Sequence, residues 1–138
     1  MKTSQRSGQQ GVMLIEALIA ILLFSTGILA MIAMQGLAIS YSADAKYRTD
    51  AAFFANELLG QMWVDRANIG TYAYPGGTAP ALAPWKARVD GMLPGTTANP
   101  PVINVDAATG AVDITIRWQA PNADSARTYR TVAIIVNP

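Results

Sequence analysis

Hydrophobic and polar positions divide this chain into stretches of different period. Residues 1–11, MKTSQRSGQQG, are polar, with Lys2 and Arg6 as their only charges. Residues 12–34 are an apolar run broken by one charge, Glu16, and no other charge appears before Asp44. The unbroken part, Ala17 to Met34, has 18 residues, about the minimum for a helix that crosses a bilayer. Lys2 and Arg6 precede the run and no basic residue follows it closely, so the positive-inside rule leaves the N-terminus in the cytoplasm and exports the rest. A cleaved secretory signal fits less well. The run is longer than such a signal needs, an acid stands at its start, and ILAMIAMQGLA offers no small-residue junction followed by a turn.

A helical period continues past the run. From Leu37 to Asp65 there is no Pro; apolar side chains recur at Leu37, Tyr41, Ala45, Phe54, Leu58 and Met62, while Asp44, Arg48, Asp50, Glu57 and Asp65 take other faces. The pattern predicts one helix from Val12 to about Arg66, about 80 Å long. Its first half is apolar all round, and its second half needs a partner on one side. Gly27, Gly36 and Gly60 are its weak helix formers. Phe53, Phe54 and Trp63 are assigned to the core between this helix and the remainder of the fold.

Residues 67–84 read as loop, with Tyr74-Pro75-Gly76-Gly77-Thr78 and Pro80. Trp85, Val89 and Met92 stand at i, i+4 and i+7, which predicts a two-turn amphipathic helix opened by Pro84 and stopped by Leu93-Pro94-Gly95. The period then falls to two. Val102–Asp106 is a short strand. Val112, Ile114, Ile116 and Trp118 alternate with Asp113, Thr115 and Arg117 as a half-buried strand. Tyr129 to Val136 is β-branched and apolar, so it is expected to be covered on both faces or to lie inside the sheet. Three strands in meander order give an antiparallel sheet, and the simplest way to cover its apolar face is the amphipathic half of the long helix. The expected fold class is α+β, with Trp85 and Trp118 in the core.

Composition narrows the chemistry. The chain has 138 residues, 10 Lys+Arg, 9 Asp+Glu, no His and no Cys. There is no thiol nucleophile, disulfide, thiolate zinc site, imidazole ligand or Ser-His-Asp triad. Charged residues make up 14% of the chain against roughly 25% in soluble domains, and the deficit sits in the apolar run. A net charge of +1 argues against nucleic acid as a partner. Lys86, Arg88, Arg117, Arg127 and Arg130 are interleaved with Asp90, Asp106, Asp113 and Asp124, which is a solvated mixed surface rather than a DNA-binding patch. Asp106 and Asp113 flank Thr109-Gly110 without the further ligands or closing Glu of a calcium loop; the segment is a hairpin turn. No carboxylate pair points to a hydrolase. No catalytic residue, metal or cofactor is expected.

Glu16 is the exception to the pattern. A carboxylate near a membrane core costs a few kcal/mol and usually marks function. Only five residues into the run, it is alternatively a group resting at the cytoplasmic interface.

Gly11-Val12-Met13-Leu14-Ile15-Glu16, after a basic leader and before an apolar helix, resembles the class III signal of type IV pilins and pseudopilins. In that family a prepilin peptidase cuts on the cytoplasmic side after the Gly and methylates the new N-terminus, and a Glu is the fifth residue of the mature chain. The resemblance therefore implies cleavage between Gly11 and Val12, N-methylation of Val12, and Glu16 as an assembly contact. The first mature residue is usually Phe or Met in the family; here it is Val12. Pro84-Trp85-Lys86 through Val89 to Leu93-Pro94-Gly95, the strand ending at Trp118, and LIEALIAILLFSTGILAMIAMQ are most similar to the PilV-type minor pilins.

That resemblance implies a leader peptide at 1–11, a transmembrane and assembly helix at 12–66, and a periplasmic α+β domain at 67–138. It implies a low-abundance subunit that primes or caps a type IV pilus, held in the bacterial inner membrane until assembly, with other minor and major pilins and the prepilin peptidase as partners. A minor pseudopilin of a type II secretion system has the same N-terminal architecture. A permanently anchored, exported binding module is the rival from another class, and such an anchor needs neither Gly11 nor Glu16.

Overall fold

A computed structural model describes residues 9–121 and 123–136. The elements run α1 (Gln9–Val64), a 3-10 helix (Arg66–Tyr72), α2 (Leu82–Met92), β1 (Val102–Asp106), β2 (Ala111–Trp118) and β3 (Arg127–Ile134). The chain divides into two compact units, Met1–Tyr41 and Ser42–Pro138.

In the first unit, α1 is helical from Gln9 onward, and every residue from Gly11 to Tyr41 is exposed. Gly27 and Gly36 do not interrupt it. The Thr26 hydroxyl donates to the Leu22 carbonyl, 2.8 Å away, so this polar side chain within the apolar run is satisfied by its own helix. The helix is long and apolar enough to cross a membrane.

The second unit is built on the remainder of α1. Ala51, Phe54, Ala55, Leu58 and Met62 are buried at i, i+3, i+4, i+7 and i+11, one stripe of a 3.6-residue period. They join a single core with Leu82, Trp85, Val89 and Leu93 from α2 and its exit, and with Ile103, Val112, Ile114, Ile116 and Trp118 from the sheet. The expected α+β arrangement of long helix and antiparallel sheet is present. β1 pairs with β2, and β2 with β3, all antiparallel, in the order β1-β2-β3. In β2 every second residue from Val112 to Trp118 is buried, as its alternation predicts.

Several expectations are corrected. Leu37, Tyr41 and Ala45 are exposed; the buried stripe begins at Ala51, with Tyr47 packed against its start. Phe54 is core, but Phe53 and Trp63 lie 62% and 47% exposed, because a turn of 100° per residue carries them away from the Phe54–Leu58 line. Met92 is half exposed, and Leu82, Trp85, Val89 and Leu93 form the inner line of α2 instead. Residues 66–72 are not plain loop; this 3-10 helix buries Ile69 and Tyr72. The segment from Tyr129 is neither inner nor covered on both faces. β3 is an edge strand, and Val132, Ile134 and Val136 are exposed.

Two glycines are required by geometry. Gly110 closes the β1–β2 turn at φ +72°, where a Cβ would collide with the Ile135 carbonyl. Gly77 admits no Cβ because the carbonyls of Ala73 and Thr71 already occupy that space.

Candidate assembly site on the N-terminal helix

The three residues singled out by sequence all lie in the first turns of α1. Gly11 and Val12 lie near the N-terminal end of the described part of α1. A Cβ at Gly11 would meet nothing within 4 Å, so the glycine is not demanded by the chain's own packing. Lys2 and Arg6 lie outside the described residues.

Glu16 is one helical turn beyond Val12, and the i, i+4 spacing puts both on one face. The Glu16 side chain is exposed, and among the described residues none pairs with it. In sequence the next charge after it is Asp44. An exposed carboxylate at the mouth of an apolar helix is stable in water; inside a low-dielectric environment it requires a cation. The structure thus brings Gly11, Val12 and Glu16 together on one element, where all three are exposed among the described residues.

The second unit carries charge as local pairs. Arg130 on β3 forks onto Asp113 on β2, with Nε to Oδ1 at 3.0 Å and the terminal nitrogen to Oδ2 at 2.6 Å. The Arg130 guanidinium holds the Asp113 carboxyl below its ordinary value, against a smaller opposing effect of burial. Arg127 reaches Asp44 on α1 at 3.5 Å. Arg88 on α2 pairs with Glu57 on α1. Lys86 and Asp90 pair along α2 at 2.6 Å; partial burial pushes the Asp90 carboxyl upward, but Lys86 and the Thr96 hydroxyl together bring it below its ordinary value.

Asp106 is engaged within its own turn. It accepts the Thr109 hydroxyl at 2.7 Å and the Ala108 N–H at 3.0 Å, and these bonds, the hydroxyl first, lower its carboxyl. Its supposed companion Asp113 is engaged by Arg130. The five basic residues considered as a patch are broken up in the same way, with four of them paired to acids. Among the described residues, no group of three or more acidic side chains is arranged to hold a metal ion.

Trp85 and Trp118 are buried as expected. Trp85 donates its indole N–H to the Phe54 carbonyl at 3.0 Å and so ties α2 to α1; the Trp118 indole N–H is buried and finds no partner among the described residues. Sequence reading missed the Asp113–Arg130 pair. Its signal was available, since both residues fall on the outward positions of strands adjacent in the chain. The class of architecture is a helix of membrane-spanning length continuous with a small α+β unit. No family model matches the chain, and no curated protein or solved structure matches it.

Proposed function

We propose that this chain is a minor subunit of a type IV pilus, most similar to the PilV-type minor pilins, made as a prepilin and assembled through its N-terminal helix. The observation that carries the reading is the placement of Gly11, Val12 and Glu16. A Gly–X junction stands at the head of an exposed apolar helix, with a carboxylate one turn further on that has no partner among the described residues. A permanent membrane anchor gains nothing from that carboxylate.

Peptidase cleavage after Gly11 frees a cationic amine on Val12 and removes Lys2 and Arg6. In a staggered array of such helices, the amine of one subunit approaches Glu16 of the next. Surrounding helices exclude water and lipid there, which strengthens the attraction and makes an unpaired carboxylate costly. The exported α+β unit follows the helix directly and faces the periplasm. It has a packed tryptophan core, which suits a structural role.

Deleting the gene tests this proposal. Loss of surface pili and of twitching with normal export of a type II secretion substrate supports it. Intact piliation with failed secretion would replace it with a minor pseudopilin of the secretion system.

A further inference from the structure

Most basic side chains of the second unit are matched within the chain. Lys46, Lys86, Arg88, Arg127 and Arg130 each sit on an acid. Arg48, Arg66 and Arg117 pair with no acid among the described residues. Arg48 stands exposed on α1, and Arg117 takes an outward position on β2. Arg66 differs from both. It is half-buried at the head of the 3-10 helix and borders a cleft of about 220 Å³.

Two acids flank this place, and neutral donors hold both. Asp65 precedes Arg66 in the chain, but it accepts the Asn68 amide at 2.7 Å and the Tyr72 hydroxyl at 3.2 Å, and it borders a different depression beside Glu57 and Val64. Asp106 opens the 107–110 turn that forms the far wall of the cleft, and its oxygens take the Thr109 hydroxyl and the Ala108 N–H. The remaining walls are aliphatic or small, with Ile69 and Gly70 on one side, Ala107 on the other and Ile135 behind. Gly70 and Ala107 keep the cleft open, since even a Cβ on Gly70 would stand 3.5 Å from that of Ala107. The volume is below the roughly 300–1,000 Å³ of a site for a cofactor or drug-sized ligand, so the occupant is small. Aliphatic walls favour a hydrocarbon stem, and a guanidinium without an acid favours a carboxylate, which it can hold with two parallel bonds.

We propose that the cleft between the 3-10 helix and the 107–110 turn binds a carboxylate carried on a short aliphatic stem, with Arg66 as its counter-ion. Two sources offer that chemistry, an acidic side chain of a partner protein and a free short-chain acid. In either case the stem lies against Ile69 and Ile135 while the carboxylate meets Arg66, and the acids of the chain itself stay on their present donors. The site rests on the second unit alone and does not depend on the pilus reading.

The test uses the full chain in detergent and follows the amide resonances of Gly70 and Gly110, which both line the cleft. Four probes are titrated at equal ionic strength: sodium butyrate, N-acetylglutamate N-methylamide, its glutamine counterpart, and sodium chloride. The two carboxylates should give saturable shifts, and the neutral amide and chloride should not. Tighter binding of the glutamate probe assigns the site to a partner's side chain, and tighter binding of butyrate to a free acid. Arg66→Gln should weaken the carboxylates about tenfold or more, as expected for loss of a charge-assisted bond. Ala107→Leu fills the cleft and should do the same with Arg66 in place, whereas Arg117→Gln should change nothing. Unaltered tryptophan emission in each variant shows that the fold is kept. No saturable shift with either carboxylate, equal shifts from chloride or the glutamine probe (an adventitious ion only), or full binding by Arg66→Gln would overturn the proposal.

Discussion

Trp85 is the side chain on which the second unit depends most, and Trp85→Ala tests that directly. The indole is fully buried, among residues contributed by α1, α2 and the sheet. Truncating a buried Trp to Ala costs about 3–5 kcal/mol through lost apolar burial and the cavity left behind. The lost indole N–H bond to Phe54 adds less, because that carbonyl lies inside α1 and retains the helical N–H four residues on. Against a total stability of about 5–15 kcal/mol for a domain of this size, the change removes a large part. For a unit of roughly 100 residues, 1 kcal/mol corresponds to about 4–8 °C in melting temperature, so a loss of at least 12 °C or so is expected. Trp85→Phe keeps most of the apolar volume and should lose markedly less. Near-ultraviolet circular dichroism of the detergent-solubilised chain follows tertiary packing and is insensitive to the apolar helix, which stays helical in micelles. A Trp85→Ala variant melting within about 2 °C of the parent would refute the placement of this residue at the centre of the core.

Other substitutions separate the parts of the account. Gly110→Ala is strained by φ +72° and by collision with the Ile135 carbonyl; it should lower the melting temperature clearly, while Gly91→Ala, in α2 with open space around it, should hold or raise it. Phe53→Ser and Trp63→Ser alter exposed faces of α1 and should leave the melting curve unchanged, a result opposite to that for Phe54→Ser. Asp106 and Asp113 have folded-state values below those of the unfolded chain. Their stabilisation is complete above the ordinary carboxylate value near 3.9 and is lost as pH falls below it. Unfolding monitored from pH 7 to pH 2 should therefore be flat to about pH 5 and then turn downward, and Asp113→Asn should reduce that downturn. Glu16→Gln, with processing intact, should weaken co-purification with other pilins, and Glu16→Asp should do so less. Full recruitment of the Gln variant would reduce Glu16 to a bystander at the interface.

The elements were legible where a period repeats over several turns or strand positions. α1, α2 and all three strands stand near the places that their patterns predict, and the hairpin turn at 107–110 is closed by Asp106 and Gly110 as turn chemistry requires. The errors come from a shared cause. Periodicity says that a side chain is apolar at a given angle, but not whether anything covers it there. Leu37, Tyr41 and Ala45 continue the helical spacing beyond the point where the sheet ends its cover, and Phe53 and Trp63 are large apolar residues on the opposite side. In the same way, the apolar run of Tyr129–Val136 matches an inner strand in composition, and its edge position follows only from the strand order. The candidate site was legible as a spacing, Val12 and Glu16 one helical turn apart directly after Gly11. Its partner was not, because that partner belongs to another molecule in the proposed assembly.

The mass of the mature protein tests the central claim most directly. Intact-mass spectrometry on chain extracted from membranes, with and without an active prepilin peptidase, reads the N-terminus without disturbing the fold. Processing predicts a chain of residues 12–138, 127 of the original 138, with side-chain charge changed from +1 to −1 by loss of Lys2 and Arg6. An added methyl group on Val12 would show in the same spectrum. Full-length chain should accumulate when the peptidase is absent. Full-length protein in both strains, or a cut beyond Met34 that releases the second unit, would contradict the account.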